Sequence, residues 1–283
     1  MVNFKDYDIY KVRKKNKIRT IYSPRPKLKR IQKQVLSILT RNYYNLIPDC
    51  VHGFMLGKSI YSAVYPHMKN KYIMKFDFKD FFPSHTKKII TDKLITNINI
   101  KYNVANYIAN LCCYNNEMVL GSVISPFITN LCMLEFDKQF NQWCQENNIT
   151  YTRYADDIIL SNNEFKFDRY QMYNIIYSIL RLSNINYLKI NYKKTKFGKR
   201  NLLGVNIHDN ELSIPFKTRN HLRAILFTYG LTGIEFSDFD DSIKGYLSFI
   251  RYINKRQYEK LIKNYNKGLS FYLQKLEENN EKN

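Results

Sequence analysis

The stretch Ile149-Thr150-Tyr151-Thr152-Arg153-Tyr154-Ala155-Asp156-Asp157-Ile158-Ile159-Leu160-Ser161 decides how the rest of the chain is read. It reads as two short strands meeting at Ala155-Asp156. Two adjacent aspartates there are costly, because like charges repel and each buried carboxylate must be desolvated. Something positive should sit beside them, and a divalent metal fits. Successive strand residues point to opposite faces, so both carboxylates reach one site only if the chain turns tightly, which a small Ala155 helps. Taken alone, an Asp-Asp pair is explained about as well by a solvated turn.

Working outward, residues 71–77 alternate as a strand, with Tyr72, Met74 and Phe76 on one face and Ile73, Lys75 and Asp77 on the other. Asp77 is expected to end that strand. Three carboxylates from two neighbouring strands form a natural cradle for two Mg²⁺ ions roughly 3.5–4 Å apart, able to activate a 3′-hydroxyl and stabilise a leaving pyrophosphate. Between these strands, Gly121 to Pro126 leads into a helix, with Ser125 expected to cap it, Pro126 in its first turn, and Phe127, Leu131 and Leu134 as its apolar stripe. Residues 170–182 are helical by pattern, and 187–207 read as strand, basic turn and strand around Lys193-Lys194-Thr195. Residues 11–22 form a basic hairpin. After it, Leu28, Ile31, Val35 and Ile38 recur at helical spacing beside Lys27, Lys29, Arg30 and Lys33. Beyond Pro215 the pattern is helical, through Leu222, Ile225 and Leu226, then Ile243, Tyr246, Leu247 and Ile250, then Leu261, Ile262 and Tyr265.

Composition points to a partner. Forty-five Lys and Arg against 24 Asp and Glu give a net charge of +21 on 283 residues, which favours a polyanion, nucleic acid above all. Richness in Lys, Asn, Ile and Tyr would also follow from an AT-rich genome, but that does not account for so few acidic residues. The 24 Tyr and 18 Phe offer flat surfaces for bases, although most aromatics are core. Five cysteines with no C-x-x-C pair support neither a disulfide framework nor a zinc knuckle, so buried thiols are expected. No apolar run approaches the roughly 20 residues that span a bilayer, and the first residues lack the apolar centre of a secretory signal. A folded cytoplasmic protein without membrane contact is expected.

The succession Phe76-Asp77-Phe78-Lys79-Asp80-Phe81-Phe82, Gly121-Ser122-Val123-Ile124-Ser125-Pro126, Tyr154-Ala155-Asp156-Asp157 and Asn191-Tyr192-Lys193-Lys194-Thr195 resembles the palm motifs of reverse transcriptases in order. The resemblance implies an α/β (α+β) right-hand polymerase. Fingers would span 1–70 with part of 85–120, an antiparallel palm sheet with helices 71–207, and a helical thumb 208–283. It implies that Asp77 and Asp156 bind two Mg²⁺, with Asp157 a weaker ligand and the Phe78 carbonyl an added oxygen. Phe82 would be the steric gate that excludes a 2′-hydroxyl, making dNTPs the substrates. Lys17 and Arg19 would grip the triphosphate, Ser125 would line the dNTP site, and Lys194 would be a general acid near the pyrophosphate. Where many of these enzymes carry Gln before the glycine of the second palm motif, this chain has Leu120. The expected consequence is lower dNTP affinity or altered fidelity with the metal site intact.

Within that family the chain resembles bacterial retron-type enzymes. It is short, without an added nuclease or maturase domain, and carries Val51-His52-Gly53-Phe54, Gly57-Lys58-Ser59-Ile60, Tyr151-Thr152-Arg153 before Tyr-Ala-Asp-Asp, and Leu212 to Pro215 opening a thumb. The resemblance implies a structured noncoding RNA as template and primer, single-stranded DNA as product, an effector protein encoded nearby and a role in antiphage defence. Lys217, Arg219, His221 and Arg223 would recognise the RNA from the thumb. The chain departs from the retron pattern at Ala63-Val64-Tyr65-Pro66-His67 and at Leu202-Leu203-Gly204. Two other readings stay open: a bacterial defence polymerase making self-primed or untemplated DNA, and a catalytically inactive RNA-binding scaffold.

Overall fold

The computed structural model describes residues 6–14, 17–193, 200–208, 211–232 and 240–264. The chain divides into two compact units, one of Met1–Ala63 with Asn70–Lys194 and one of Val64–Lys69 with Thr195–Asn283. Both helices and antiparallel sheets are present, as the sequence predicts.

The first unit begins with a hairpin of β1 (Tyr7–Lys14) and β2 (Lys17–Pro24), longer than the expected 11–22. It feeds α1 (Pro26–Tyr43), whose first turn holds a proline, where a missing N–H costs nothing. The buried face of α1 is Leu28, Gln32 and Leu39, while the expected Ile38 is 60% exposed. Helical geometry explains the correction, because eleven residues from Leu28 return to within roughly 20° of its side and ten leave roughly 80°.

After α2 (Ile60–Val64) comes β3 (Tyr72–Lys79), which runs two residues past Asp77. Met74, Phe76 and Phe78 are buried on one face, as alternation predicts. Helix α3 (Lys87–Ile98) is capped by the Thr86 hydroxyl, which accepts from the Ile89 amide at 3.4 Å, and ends at Asn99 in the left-handed conformation. Helix α4 (Tyr102–Cys112) leads to the short strands β4 (Cys113–Tyr114) and β5 (Glu117–Met118). Helix α5 (Ser125–Cys132) corrects one expectation: Ser125 lies inside its first turn rather than at the cap, and its hydroxyl is buried without a hydrogen-bond partner. With Pro126 in that turn, the helix starts on a residue already helical in its backbone, Ile124, and uses no side-chain cap.

Helix α6 (Leu134–Glu146) then delivers the chain to β6 (Thr150–Tyr154) and β7 (Asp157–Asn162), followed by α7 (Arg169–Leu182) and β8 (Lys189–Tyr192). The strands form one antiparallel sheet in the order β6-β7-β3-β8. Phe76 and Phe78 of β3, Ile158 and Leu160 of β7, Phe136 and Phe140 of α6 and Ile176 and Leu180 of α7 share a single core. That core fixes the height at which the strand ends stand.

In the second unit, β9 (Asn201–Leu202), β10 (Val205–His208) and β11 (Glu211–Ser213) make a separate antiparallel sheet. Its tight turn is Leu203-Gly204, both at positive φ. Among the described residues, β9 and β10 pair with each other and β10 with β11 in this sheet. Helices α8 (Phe216–Thr232), α9 (Asp240–Ile253) and α10 (Lys255–Asn264) follow. They bury Leu222, Leu226, Ile243, Leu247, Ile250 and Leu261, whereas Tyr246 is exposed. Tyr265 lies outside the described residues. The five cysteines are free and buried, and among the described residues no helix is long and apolar enough to cross a membrane.

Candidate active site

Strands β6 and β7 are joined by Ala155-Asp156, with Tyr154 opposite Asp157 and Ala155 at φ +56. Asp157 lies directly opposite Asp77 on β3, and Asp77 directly opposite Asn191 on β8. Directly opposed strand residues point to the same face, so Asp157, Asp77 and Asn191 form one row across three strands. The Phe78 amide donates to the Asp156 carbonyl at 2.9 Å, which ties the turn to β3. Asp77, Phe78, Asp156 and Asn191 line a cleft of about 500 Å³ together with Arg19, Tyr22, Phe82 and Leu120.

The charge problem set by the sequence is visible here. Burial raises the Asp156 carboxyl above its ordinary pKa, and the neighbouring Asp157 and Asp77 charges add to the rise. Lys193 answers part of it: its ammonium is 2.5 Å from Asp157 and 3.6 Å from Asp77. Burial alone would lower the Lys193 pKa, but its hydrogen bond to Asp157 and the three carboxylate charges together raise it. Lys75, on the same strand face as Asp77, is half-buried and has its pKa lowered by burial.

The turn is braced from behind. Arg153 is fully buried and donates from Nε and Nη2 to the two carboxylate oxygens of Asp137 at 2.8 and 2.6 Å. Its Nη1 donates to the Ala155 carbonyl at 2.9 Å, and its Nη2 to Asn130 Oδ1 at 3.0 Å. Tyr151 donates to Asp137 at 2.8 Å, and Asn130 Nδ2 donates to the Gly53 carbonyl at 2.9 Å. The loop at Val51-His52-Gly53 lies on β6, where the His52 amide donates to the Arg153 carbonyl and the Arg153 amide to the Cys50 carbonyl, both at 2.8 Å. A Cβ on Gly53 would stand 2.3 Å from the Ala155 nitrogen, so glycine is required for that approach.

Of the residues singled out in the sequence, Asp77, Phe78, Asp156, Phe82 and Arg19 come together in the cleft, and Asp157 joins them through the row on β7 and β3. Ser125 is 1% exposed and is not among the residues lining the cleft. The Lys17 side chain and all of Lys194 lie outside the described residues. In the second unit, Arg219 and Arg223 on α8 line a cavity of about 280 Å³ with Gln257 and Lys260, and Lys217 is exposed.

Sequence reasoning missed Lys193 and the Arg153–Asp137 pair. Strand alternation carried the first: Lys193 is two residues beyond Asn191, which opposes Asp77, so it shares the carboxylate face. Asp137 carried the second, as an acid that shares the buried face of α6 with Leu134, Phe136 and Phe140.

Whether the site suits Mg²⁺ is a question of donor chemistry. The carboxylates of Asp77, Asp156 and Asp157 with the Phe78 carbonyl are hard oxygen donors of the kind Mg²⁺ takes, and burial, with the neighbouring Asp157 and Asp77 charges, disfavours ionised Asp156 in the absence of a cation. Among the described residues no three acidic, His or Cys side chains are drawn together at ligand spacing. The Lys193 ammonium instead bridges Asp157 and Asp77, so an entering cation has an internal competitor.

Residues 11–207 match the family described as reverse transcriptase (RNA-dependent DNA polymerase). The chain is similar to the retron Ec83 reverse transcriptase of Escherichia coli, 27% identical over 92% of this chain and 86% of that one. It is also similar to the retron Ec86 reverse transcriptase of Escherichia coli, 28% identical over 98% and 83%. Among solved structures, apo telomerase from Candida tropicalis aligns over 94% of this chain with a TM-score of 0.47 and 11% identity, and this chain spans 60% of it.

Proposed function

The chain belongs to the reverse transcriptase (RNA-dependent DNA polymerase) family, and on that premise we propose that it copies a structured noncoding RNA into single-stranded DNA as a retron-type enzyme. The observation that carries the chemistry is the row Asp157-Asp77-Asn191 beside Asp156 in a cleft that also holds Arg19 and Phe82. Similarity to the two Escherichia coli retron enzymes over most of the chain supports the subfamily. In this reading β1, β2 and α1 belong to the fingers, the sheet β6-β7-β3-β8 to the palm, and the helices from α8 onward to the thumb.

Asp77 and Asp156, with Asp157 and the Phe78 carbonyl, are the groups that would hold Mg²⁺. When bound, Mg²⁺ supplies Lewis acidity toward the primer 3′-hydroxyl and the pyrophosphate leaving group. Arg19 provides positive charge for the triphosphate from the edge of the cleft. Phe82 lies beneath the sugar and admits dNTPs. Arg153 and Asp137 hold the turn so that Asp156 faces the cleft, leaving less reorganisation for the reacting state. Lys217, Arg219 and Arg223 contribute phosphate contacts for the RNA, and binding weakens steeply with salt as counterions are released. The resemblance to retrons brings with it an effector protein encoded nearby and a role in antiphage defence.

Sequencing the nucleic acid that co-purifies with the protein tests this reading. A branched RNA–DNA molecule copied from one structured RNA is expected. Unbranched or untemplated DNA would instead favour a different bacterial defence polymerase.

A further inference from the structure

Phe54 holds φ at +63, in the left-handed region that a bulky side chain enters only at a cost. Burial does not repay it, because the residue is 45% exposed. Its ring instead meets Phe82 edge to face, with centroids 6.1 Å apart and planes at 67°. Phe82 also meets Phe81 edge to face, at 5.7 Å and 76°. Phe81 in turn stacks on Phe78 at 5.5 Å, next in sequence to Asp77. The row Phe78, Phe81, Phe82, Phe54 thus runs from the core outward, and Phe82 touches both a buried ring and an exposed one.

The backbone that delivers Phe54 is fixed by the contacts that seat the Asp156 turn. The Gly53 carbonyl accepts from Asn130, which is itself held by Arg153. Gly53 also packs so closely on Ala155 that no side chain fits between them. The strained conformation of Phe54 is therefore imposed by its surroundings, and what it yields is a ring placed against Phe82.

We infer that Phe54 is a specificity-determining positioning residue, which acts through Phe82 by holding that ring where a ribose 2′-hydroxyl would have to go. The inference rests on the reading of Phe82 as the sugar gate. A gate discriminates by refusing to yield, and a partly exposed ring supported only from the core can move between rotamers on the picosecond to nanosecond scale. Closing the solvent side with Phe54 removes that escape.

The test is single-nucleotide incorporation on a primed RNA template with Mg²⁺, comparing kcat/KM for dNTP and rNTP. Phe54→Gly suits it because glycine adopts φ +63 without strain, so the ring is removed while the backbone is favoured. Phe54→Tyr keeps the ring. Discrimination against rNTP is expected to fall about tenfold or more in Phe54→Gly, mostly through faster rNTP use, and to be kept in Phe54→Tyr. Phe82→Ala should lose discrimination, and adding Phe54→Gly to it should change nothing further. Unchanged discrimination in Phe54→Gly, with loss in Phe82→Ala, overturns the inference and leaves the gate standing. Equal losses for dNTP and rNTP in Phe54→Gly overturn it too, since Phe54 would then be general support. If Phe82→Ala keeps full discrimination, the gate reading itself fails and takes the inference with it.

Discussion

The Lys193 ammonium stands 2.5 Å from the Asp157 carboxylate and reaches Asp77 at 3.6 Å, so a side chain of the protein already occupies part of the charge field proposed here for a metal. Removing it should make the field more negative. At these separations a unit charge counts for several kcal/mol before screening, and about 1.4 kcal/mol after discounting for the partial exposure of Lys193 is a tenfold effect. Lys193→Met is therefore expected to bind Mg²⁺ about tenfold more tightly by calorimetry without nucleotide. Its melting temperature without Mg²⁺ should fall. An unchanged or weaker affinity would mean that the ammonium does not compete.

The Arg153–Asp137 pair is fully buried, so breaking it from one side should be severe. Asp137→Leu leaves the Arg153 charge uncompensated and is expected to cost about 3–5 kcal/mol in urea denaturation. Combining it with Arg153→Met removes both charges and should recover most of that loss. The double variant would still lack the hydrogen bond to the Ala155 carbonyl, and its nucleotide incorporation should stay at least about tenfold slow. Full activity in the stable double variant would show that the pair only supports the fold.

Burial lowers the pKa of His85, and of the partly buried His52, from 6.5 to about 4. For a base held neutral in the fold, the unfolded chain binds more protons below pH 6.5, so stability must fall as pH drops from 6.5 toward 4. His85 alone should withdraw about 3 kcal/mol by pH 4. His85→Gln should flatten that slope in a series of melts between pH 4 and 7, and an unaltered slope would assign the acid sensitivity elsewhere.

How far the sequence carried depended on whether a residue's role was periodic or relational. Alternation placed Met74 and Phe76 on the buried face of β3, and the Asp-Asp turn fell between β6 and β7 as read. Period-based reading failed where one residue of offset matters: Ile38 gave way to Leu39 on the buried face of α1. Ser125 looked like a cap by type, yet the helix begins without one. Asp137 sits among the apolar positions of α6, but its charge reads as surface and its partner Arg153 stands on a strand, so the pair shows only in the fold, and the left-handed Phe54 is visible only once Gly53 is seen against Ala155. The β9–β11 sheet was hidden because three strands of two to four residues carry little periodic signal.

The most direct test of the account is Asp156→Asn assayed for dNTP incorporation on a primed RNA template with Mg²⁺. Because burial and the Asp157 charge disfavour ionised Asp156, the neutral variant should melt at or above the wild type at pH 7, which separates chemistry from folding. Several kcal/mol of lost charge stabilisation correspond to a rate decrease on the order of a thousandfold. A folded Asp156→Asn protein that binds RNA but incorporates nucleotide on the order of a thousandfold more slowly is the predicted result, and incorporation at the wild-type rate would contradict the assignment of the catalytic centre.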